Sequence, residues 1–166
     1  MLIDTLKQRF GSELLTAESS HGDEVITVSR DAALSVLRAL RDEADFDFNF
    51  LIDLTGVDWP AREPRFEVVY NLKSLKRNNR LRVKVPVPEN DAWVFSAVEL
   101  WKSADWLERE CYDMFGIDFR NHPDLRRILL YDSFVGHPLR KDYPVDRRQP
   151  LAEEIDPVAS PRPSSR

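Results

Sequence analysis

Two segments of the chain alternate apolar and polar side chains with a period of two. In RFEVVYNLK (65–73), Phe66, Val68, Tyr70 and Leu72 share one side, while Glu67, Val69, Asn71 and Lys73 share the other. In RLRVKVPV (80–87), Leu81, Val83, Val85 and Val87 alternate with Arg80, Arg82, Lys84 and Pro86. Successive side chains of a strand point to opposite faces, so each segment reads as a strand with one covered and one wetter face. The linker SLKRNN is short enough for an antiparallel hairpin. Pro86 and Pro88 cannot donate to a ladder, so the second strand is expected to end there or to lie at a sheet edge.

Elsewhere the apolar spacing changes. Leu2, Ile3, Leu6 and Phe10 recur at helical spacing and predict a short opening helix. EVITVS (24–29) is rich in β-branched residues and predicts a strand. A helix follows with Ala33, Leu34, Leu37 and Leu40 on one stripe, capped by Ser29 or Asp31. NFLIDLTGV (49–57) predicts a mostly buried strand, and DWPAREP a turn. WVFSAVELW (93–101) and ADWLERECYDMF (104–115) predict two helical pieces. In the second, Asp105 and Glu108 have capping-box spacing, and Gly116 stands where a left-handed C-cap belongs. Beyond it periodicity fades, and seven of the eleven prolines fall between Pro123 and Pro163. Residues 122–150 are therefore expected to follow an extended path ordered by a partner, with Phe134, Leu139 and Tyr143 as apolar anchors. PVASPRPSSR at the end is expected to be disordered.

Charge sharpens this division. Residues 1–119 carry a net −7, residues 120–148 a net +3 and residues 149–166 a net −1, for −5 over the 166 residues. The acidic total argues against a dedicated nucleic-acid binder. A basic segment on an acidic body suits a protein contact better than a polyanion groove. The single cysteine, Cys111, excludes an internal disulfide and a chain-contained four-thiolate cluster. No apolar run approaches the roughly 18–20 residues that cross a bilayer. The acidic start MLIDTLKQRFGSELL lacks a basic leader and cleavage site, so a cytoplasmic chain is expected, held at a membrane only through a partner.

The candidate chemistry centres on helix 104–115. Trp106, Arg109, Glu110 and Asp113 lie at i, i+3, i+4 and i+7, beside a stripe of Leu107, Cys111 and Met114. Glu110 and Asp113 could form an acid–base pair, as in a stand-alone hydrolase. The competing reading makes them ion-pair partners for arginines, and it is favoured because no nucleophile with a base accompanies them. His21, His122 and His137 are scattered and do not make a zinc site; His122 and His137 each precede proline, which suits ordered turns. Cys111 faces the apolar stripe as a buried thiol. No glycine-rich phosphate loop is present. Among Arg126, Arg127, Arg140 and Lys141, the interleaved Asp124 and Asp142 favour local ion pairs.

The stretch from Glu108 to Pro144, ERECYDMFGIDFRNHPDLRRILLYDSFVGHPLRKDYP, resembles the signature of the C subunit (30 kDa type) of NADH:quinone oxidoreductase, respiratory complex I. FNFLIDLTGVDW, RFEVVYNLKSL and LRVKVPVP resemble the same family in the same order, so the likeness spans about residues 30–145. It implies an α+β fold, a two-layer α/β domain with a mainly antiparallel sheet covered by helices, over residues 1–119. An extended partner-binding arm over 120–150 and a tail over 151–166 follow. It implies a non-redox peripheral-arm subunit that scaffolds the hydrogenase-like large subunit (the D subunit) near the quinone site, alongside iron–sulfur subunits. NADH and quinone act on the assembled proton-translocating complex, and FMN and iron–sulfur clusters sit in other subunits; this chain holds no cofactor, no metal and no catalytic residue. The implied location is peripheral, on the cytoplasmic side of the inner membrane. The corresponding subunit of a membrane-bound hydrogenase or another complex I-like dehydrogenase is the alternative. The partner interface would include Glu108, Arg109, Glu110, Tyr112, Asp113 and Phe115 on the helix. The arm would add His122, Asp124, Arg126, Arg127 and Phe134, then His137, Arg140, Lys141, Asp142 and Tyr143. Glu108, Glu110 and Asp113 would face arginines among Arg109, Arg126, Arg127 and Arg140.

Overall fold

A computed structural model describes residues 2–20, 22–147 and 149. His21 and the tail 151–166 lie outside the described residues. The elements run α1 (Leu2–Phe10), β1 (Leu14–Ser20), β2 (Asp23–Val28), α2 (Arg30–Asp42), β3 (Phe50–Asp58), β4 (Phe66–Lys73) and β5 (Arg80–Val87). After a 3-10 turn come β6 (Trp93–Phe95), α3 (Ala104–Phe115) and β7 (Asp118–Arg120). Five strands form one sheet in the order β1-β2-β5-β4-β3. Every pairing in it is antiparallel except β2 with β5. The α+β fold with helices packed on a mainly antiparallel sheet is the one the resemblance implies.

The period-two segments pair in register from Phe66↔Val87 to Lys73↔Arg80. Phe66, Val68, Tyr70 and Leu72 of β4 are buried, as are Leu81, Val83, Val85 and Val87 of β5. They pack with Val36, Leu37 and Leu40 of α2 and with Cys111 and Phe115 of α3 in one core. Burying each such side chain stabilises the fold by about 1.5–3 kcal/mol. Where α3 crosses β3 the approach is close: a Cβ on Gly56 would stand 2.7 Å from the Phe115 ring and 3.0 Å from the Cys111 sulfur.

β5 ends at Val87, between the two prolines as expected, and it is a central strand rather than an edge one. Its parallel ladder with β2 ends at Thr27↔Lys84, so Pro86 meets only Glu67 of β4 and needs no donor on its other side. Other expectations need correction. WVFSAVELW is not helical. Trp93–Phe95 instead pairs in parallel with Asp118–Arg120, and residues 97–101 form a tight turn in which the Leu100 and Trp101 amides donate to the Ala97 carbonyl. The bulky Trp93 and Phe95 suit an extended strand, and tertiary pairing overrides the helical spacing. No capping box forms at Asp105 and Glu108. Ser103 occupies the N-cap without a side-chain bond, and Glu108 bonds elsewhere. Ser29 likewise stands at the N-cap of α2 without a side-chain bond. Finally, β1 has no counterpart in the sequence reading. It is an edge strand whose Thr16 hydroxyl donates to the Thr27 hydroxyl of β2 at 2.8 Å.

Candidate partner-docking site

Helix α3 ends as its sequence predicts. Gly116 adopts φ 71° and ψ 30°, and its amide donates to the Tyr112 carbonyl at 2.8 Å. The last carbonyls of a helix have no partner within it. Here the arm supplies them. His137 Nδ1 meets the Asp113 carbonyl at 2.9 Å, the Leu139 amide donates to Met114 at 3.2 Å, and Arg140 Nε donates to Phe115. A Cβ on Gly116 would fall 2.5 Å from His137 Nε2, so the arm packs where only glycine leaves room. The segment 122–147, expected to take its order from a partner, folds back on its own helix end, because that end offers carbonyls that would otherwise lack donors.

Asp113 fastens the arm at a second point. Its fully buried carboxylate accepts Arg127 at 2.6 Å and the consecutive amides of Ile128, Leu129 and Leu130 at 3.1, 2.9 and 2.9 Å. Burial raises the carboxyl's proton affinity, but the amides and Arg127 outweigh it and hold Asp113 below its ordinary value. Arg127 also donates to the Gly136 carbonyl, and Arg109 donates to the carbonyls of Arg126 and Arg127. The ion-pair reading of Asp113 holds. Glu110 is different: it is exposed and has no ion-pair partner among the described residues, so it forms neither an acid–base pair with Asp113 nor a bridge to arginine. Two residues three apart on this helix point to different environments, since Asp113 tips under the arm and Glu110 faces outward.

Glu108 also departs from the expectation of facing arginine. Its carboxylate is fully buried, accepting Ser96 Oγ at 2.7 Å and the Ala97 amide at 2.6 Å. The buried His122 ring places Nε2 4.0 Å from it. Desolvation drives Glu108 up to about 7, against the Ser96 and Ala97 donors that favour the anion, with Asp105 adding repulsion. His122 Nδ1 accepts the Asp124 amide at 3.0 Å, which leaves Nε2 to donate to the Asp105 carbonyl at 3.1 Å. The spacing of Ala104, Glu108, Cys111 and Phe115 is the sequence signal for this burial, because it puts Glu108 on the apolar stripe.

A third anchor was not legible in the linear sequence. Arg65 forks onto Asp58 with two 2.8 Å bonds and reaches Glu89 at 2.6 Å and Asp142 at 2.8 Å. The Lys141 amide closes on Asp58 at 2.7 Å. Arg65 holds Asp58 and Asp142 below their ordinary values, with the Lys141 amide adding to the effect at Asp58. Lys141 thus joins through its backbone, and Asp142 through a body arginine rather than the arm's own cations. Arg126 pairs with Asp124 on the surface, as the interleaving predicts. Tyr143 stacks on Phe134, with centroids 6.1 Å apart, and Tyr112 meets His137 edge-on. Phe134 and Tyr143 therefore pack together within the arm. Leu139 stays half exposed, and Trp106, Leu129, Val135 and Val145 are exposed.

The model of the 30 kDa subunit of respiratory-chain NADH dehydrogenase matches residues 26–149. The chain belongs to this family. The NADH-quinone oxidoreductase C subunit of Citrifermentans bemidjiense is 54% identical over 140 residues, which cover 84% of this chain and 86% of that protein. The NADH-quinone oxidoreductase C/D subunit of Bdellovibrio bacteriovorus is 45% identical over 157 residues, covering 92% of this chain and 28% of that longer protein. The trypsin-resistant fragment of Nqo5 superposes with a TM-score of 0.67 at 34% identity, covering 75% of this chain and 98% of the fragment. A chain of an archaeal membrane-bound sulfane sulfur reductase shares the fold, with a TM-score of 0.73 at 22% identity over 86% of this chain and 85% of that one. The α3–arm unit, Glu108 to Pro144, lies inside the region that the family model matches.

Proposed function

We propose that the chain is a non-redox peripheral-arm subunit of a proton-translocating NADH:quinone oxidoreductase, and that it scaffolds the hydrogenase-like large subunit near the quinone site. The observation that carries this reading is the arm itself. Buried polar anchors at Asp113, the α3 carbonyls and Arg65 hold an irregular segment in place, while Trp106, Leu129, Val135, Leu139 and Val145 stay exposed. Trp106 is 69% exposed, and tryptophan is a frequent interface anchor. The Bdellovibrio bacteriovorus relative carries the joint name C/D, which supports the D subunit as the neighbour. In such a complex electrons pass from NADH through FMN and iron–sulfur clusters to quinone. A chain with one cysteine, buried and driven up in proton affinity by desolvation, leaves that chemistry to other subunits. Among the described residues no helix is long and apolar enough to cross a membrane, so attachment to the cytoplasmic side of the inner membrane would run through the complex.

Affinity purification of the tagged chain from detergent-solubilised membranes tests the proposal. A flavin- and iron-bearing assembly containing a hydrogenase-like subunit should come with it, and the chain separated from that assembly should carry neither group. Recovery of the chain alone, or an assembly without NADH:quinone activity, refutes it.

A further inference from the structure

The β4–β5 hairpin carries six cations and no carboxylate between residues 73 and 84: Lys73, Lys76, Arg77, Arg80, Arg82 and Lys84. The chain around them is acidic overall, so the hairpin is a local inversion of charge. Arg77 has Asp45 at 3.9 Å, and Arg82 has Asp23 at 3.7 Å and Asn71 at 3.1 Å. Lys73, Lys76, Arg80 and Lys84 have no carboxylate within ion-pairing distance among the described residues. Lys73 and Arg80 stand directly opposite each other in the ladder. Like charges at opposed positions destabilise a hairpin, and an external anion removes that cost.

The cations border apolar surface. Phe50 pairs with Lys73 across β3 and β4, and Phe50, Ile52 and Leu75 are 47%, 45% and 61% exposed. A depression of about 280 Å³ beside them is lined by Ile52, Asn71, Arg80 and Arg82 together with Asp23 and Asp53. β3 is the sheet's edge strand here, so among the described residues its outer backbone groups have no ladder partner. This end of the sheet lies opposite the end that holds the arm, where Arg65 and Asp58 stand.

We propose that the hairpin end of the sheet is a second docking surface, fitted to an acidic segment of a neighbouring subunit. That segment's carboxylates meet Lys73, Lys76, Arg80 and Arg82, and its apolar side chains cover Phe50, Ile52 and Leu75. The charge sets its sign and register, while the apolar residues supply the buried contact. The inference rests on the reading that the chain works within a multisubunit assembly.

Photo-crosslinking tests it in the full chain, expressed in cells whose own copy has been deleted. p-Benzoylphenylalanine replaces Lys76 in one strain and Trp106 in another, and the assembled complex is irradiated. The Lys76 position should yield an adduct with a neighbouring subunit, mapped to a peptide of net negative charge. In a Lys73→Glu, Arg80→Glu background the adduct should fall by at least about tenfold, since like-charge juxtaposition is strongly penalised at interfaces. The charge-conserving Lys73→Arg, Arg80→Lys background should keep it. A Trp106 adduct without a Lys76 adduct overturns the inference and leaves the assembly reading standing. An adduct on lipid, on residues 150–166 of this chain or on a neutral or basic peptide also overturns it. Loss of both adducts overturns the assembly reading, and this inference with it.

Discussion

Replacing Glu108 with glutamine should remove one component of the pH dependence of stability, a loss that the parent shows as pH rises from about 4.5 through about 7. The Glu108 carboxyl is fully enclosed, with Ser96, the Ala97 amide, His122, Asp105, Tyr70 and Cys111 around it. Its folded value of about 7 stands against an ordinary value of 4.5. At about 1.4 kcal/mol per pH unit, that gap corresponds to about 3 kcal/mol. The folded state binds the proton more tightly than the unfolded chain does, so this stabilisation is fully present below about pH 4.5 and is lost as pH rises through about 7. The glutamine amide mimics the protonated acid, keeping an acceptor for the Ala97 amide and presenting a donor to Ser96. His137 acts in the opposite sense. Burial, the main cause, and the nearby arginines lower it, so its contribution is lost as pH falls below its unfolded value. Comparing the variant with the parent isolates Glu108 from it. Urea denaturation of the purified chain at half-unit pH steps gives the two curves. The parent should lose about 3 kcal/mol relative to E108Q across the window. Parallel curves would refute the buried, proton-holding carboxylate.

Four further outcomes concern α3 and the arm. Asp113→Asn should cost about 3–5 kcal/mol, because Arg127 loses its anion and three amides lose a charged acceptor. Exposed Glu110→Gln should stay within about 0.5 kcal/mol. Denaturation and amide exchange at residues 128–130 check both, and equal effects would contradict the separation of the two carboxylates. Gly116→Ala should cost about 1–3 kcal/mol, as strain at positive φ adds to a clash with His137, and a thermal melt measures it. Arg65→Lys should cost about 2–3 kcal/mol by giving up the fork onto Asp58, and it should raise exchange at the Lys141 amide if the arm hangs on that bond.

Local pattern was enough for much of the body. Alternation in β4 and β5, the apolar stripe of α2, the limits of α3 and the left-handed turn at Gly116 were all legible, because the physics of each acts over one or two turns of chain. Family membership was legible too, from the stretch between Glu108 and Pro144, which lies inside the region the family model matches. The ion-pairing role of Asp113 was legible only as one of two readings. Burial beneath the amides of residues 128–130 decides it, and Glu110, three residues earlier, stays in water.

The strands and helices with strong periods, the apolar faces they bury and the family thus follow from the order of residues. Long-range packing settled everything else. Trp93–Phe95 became a strand because β7, more than twenty residues later, offers it a ladder. Pro86 is tolerated in a central strand because β2 stops short of it. Glu108 sits in the core because the turn at Ser96 and Ala97 brings it two donors. The arm lies on its own domain because Arg65 and Asp58 come within reach of residues 141 and 142 once β3 and β4 are paired. In each case the deciding partner is distant along the chain, and its hydrogen bond or ion pair has no local signature to read.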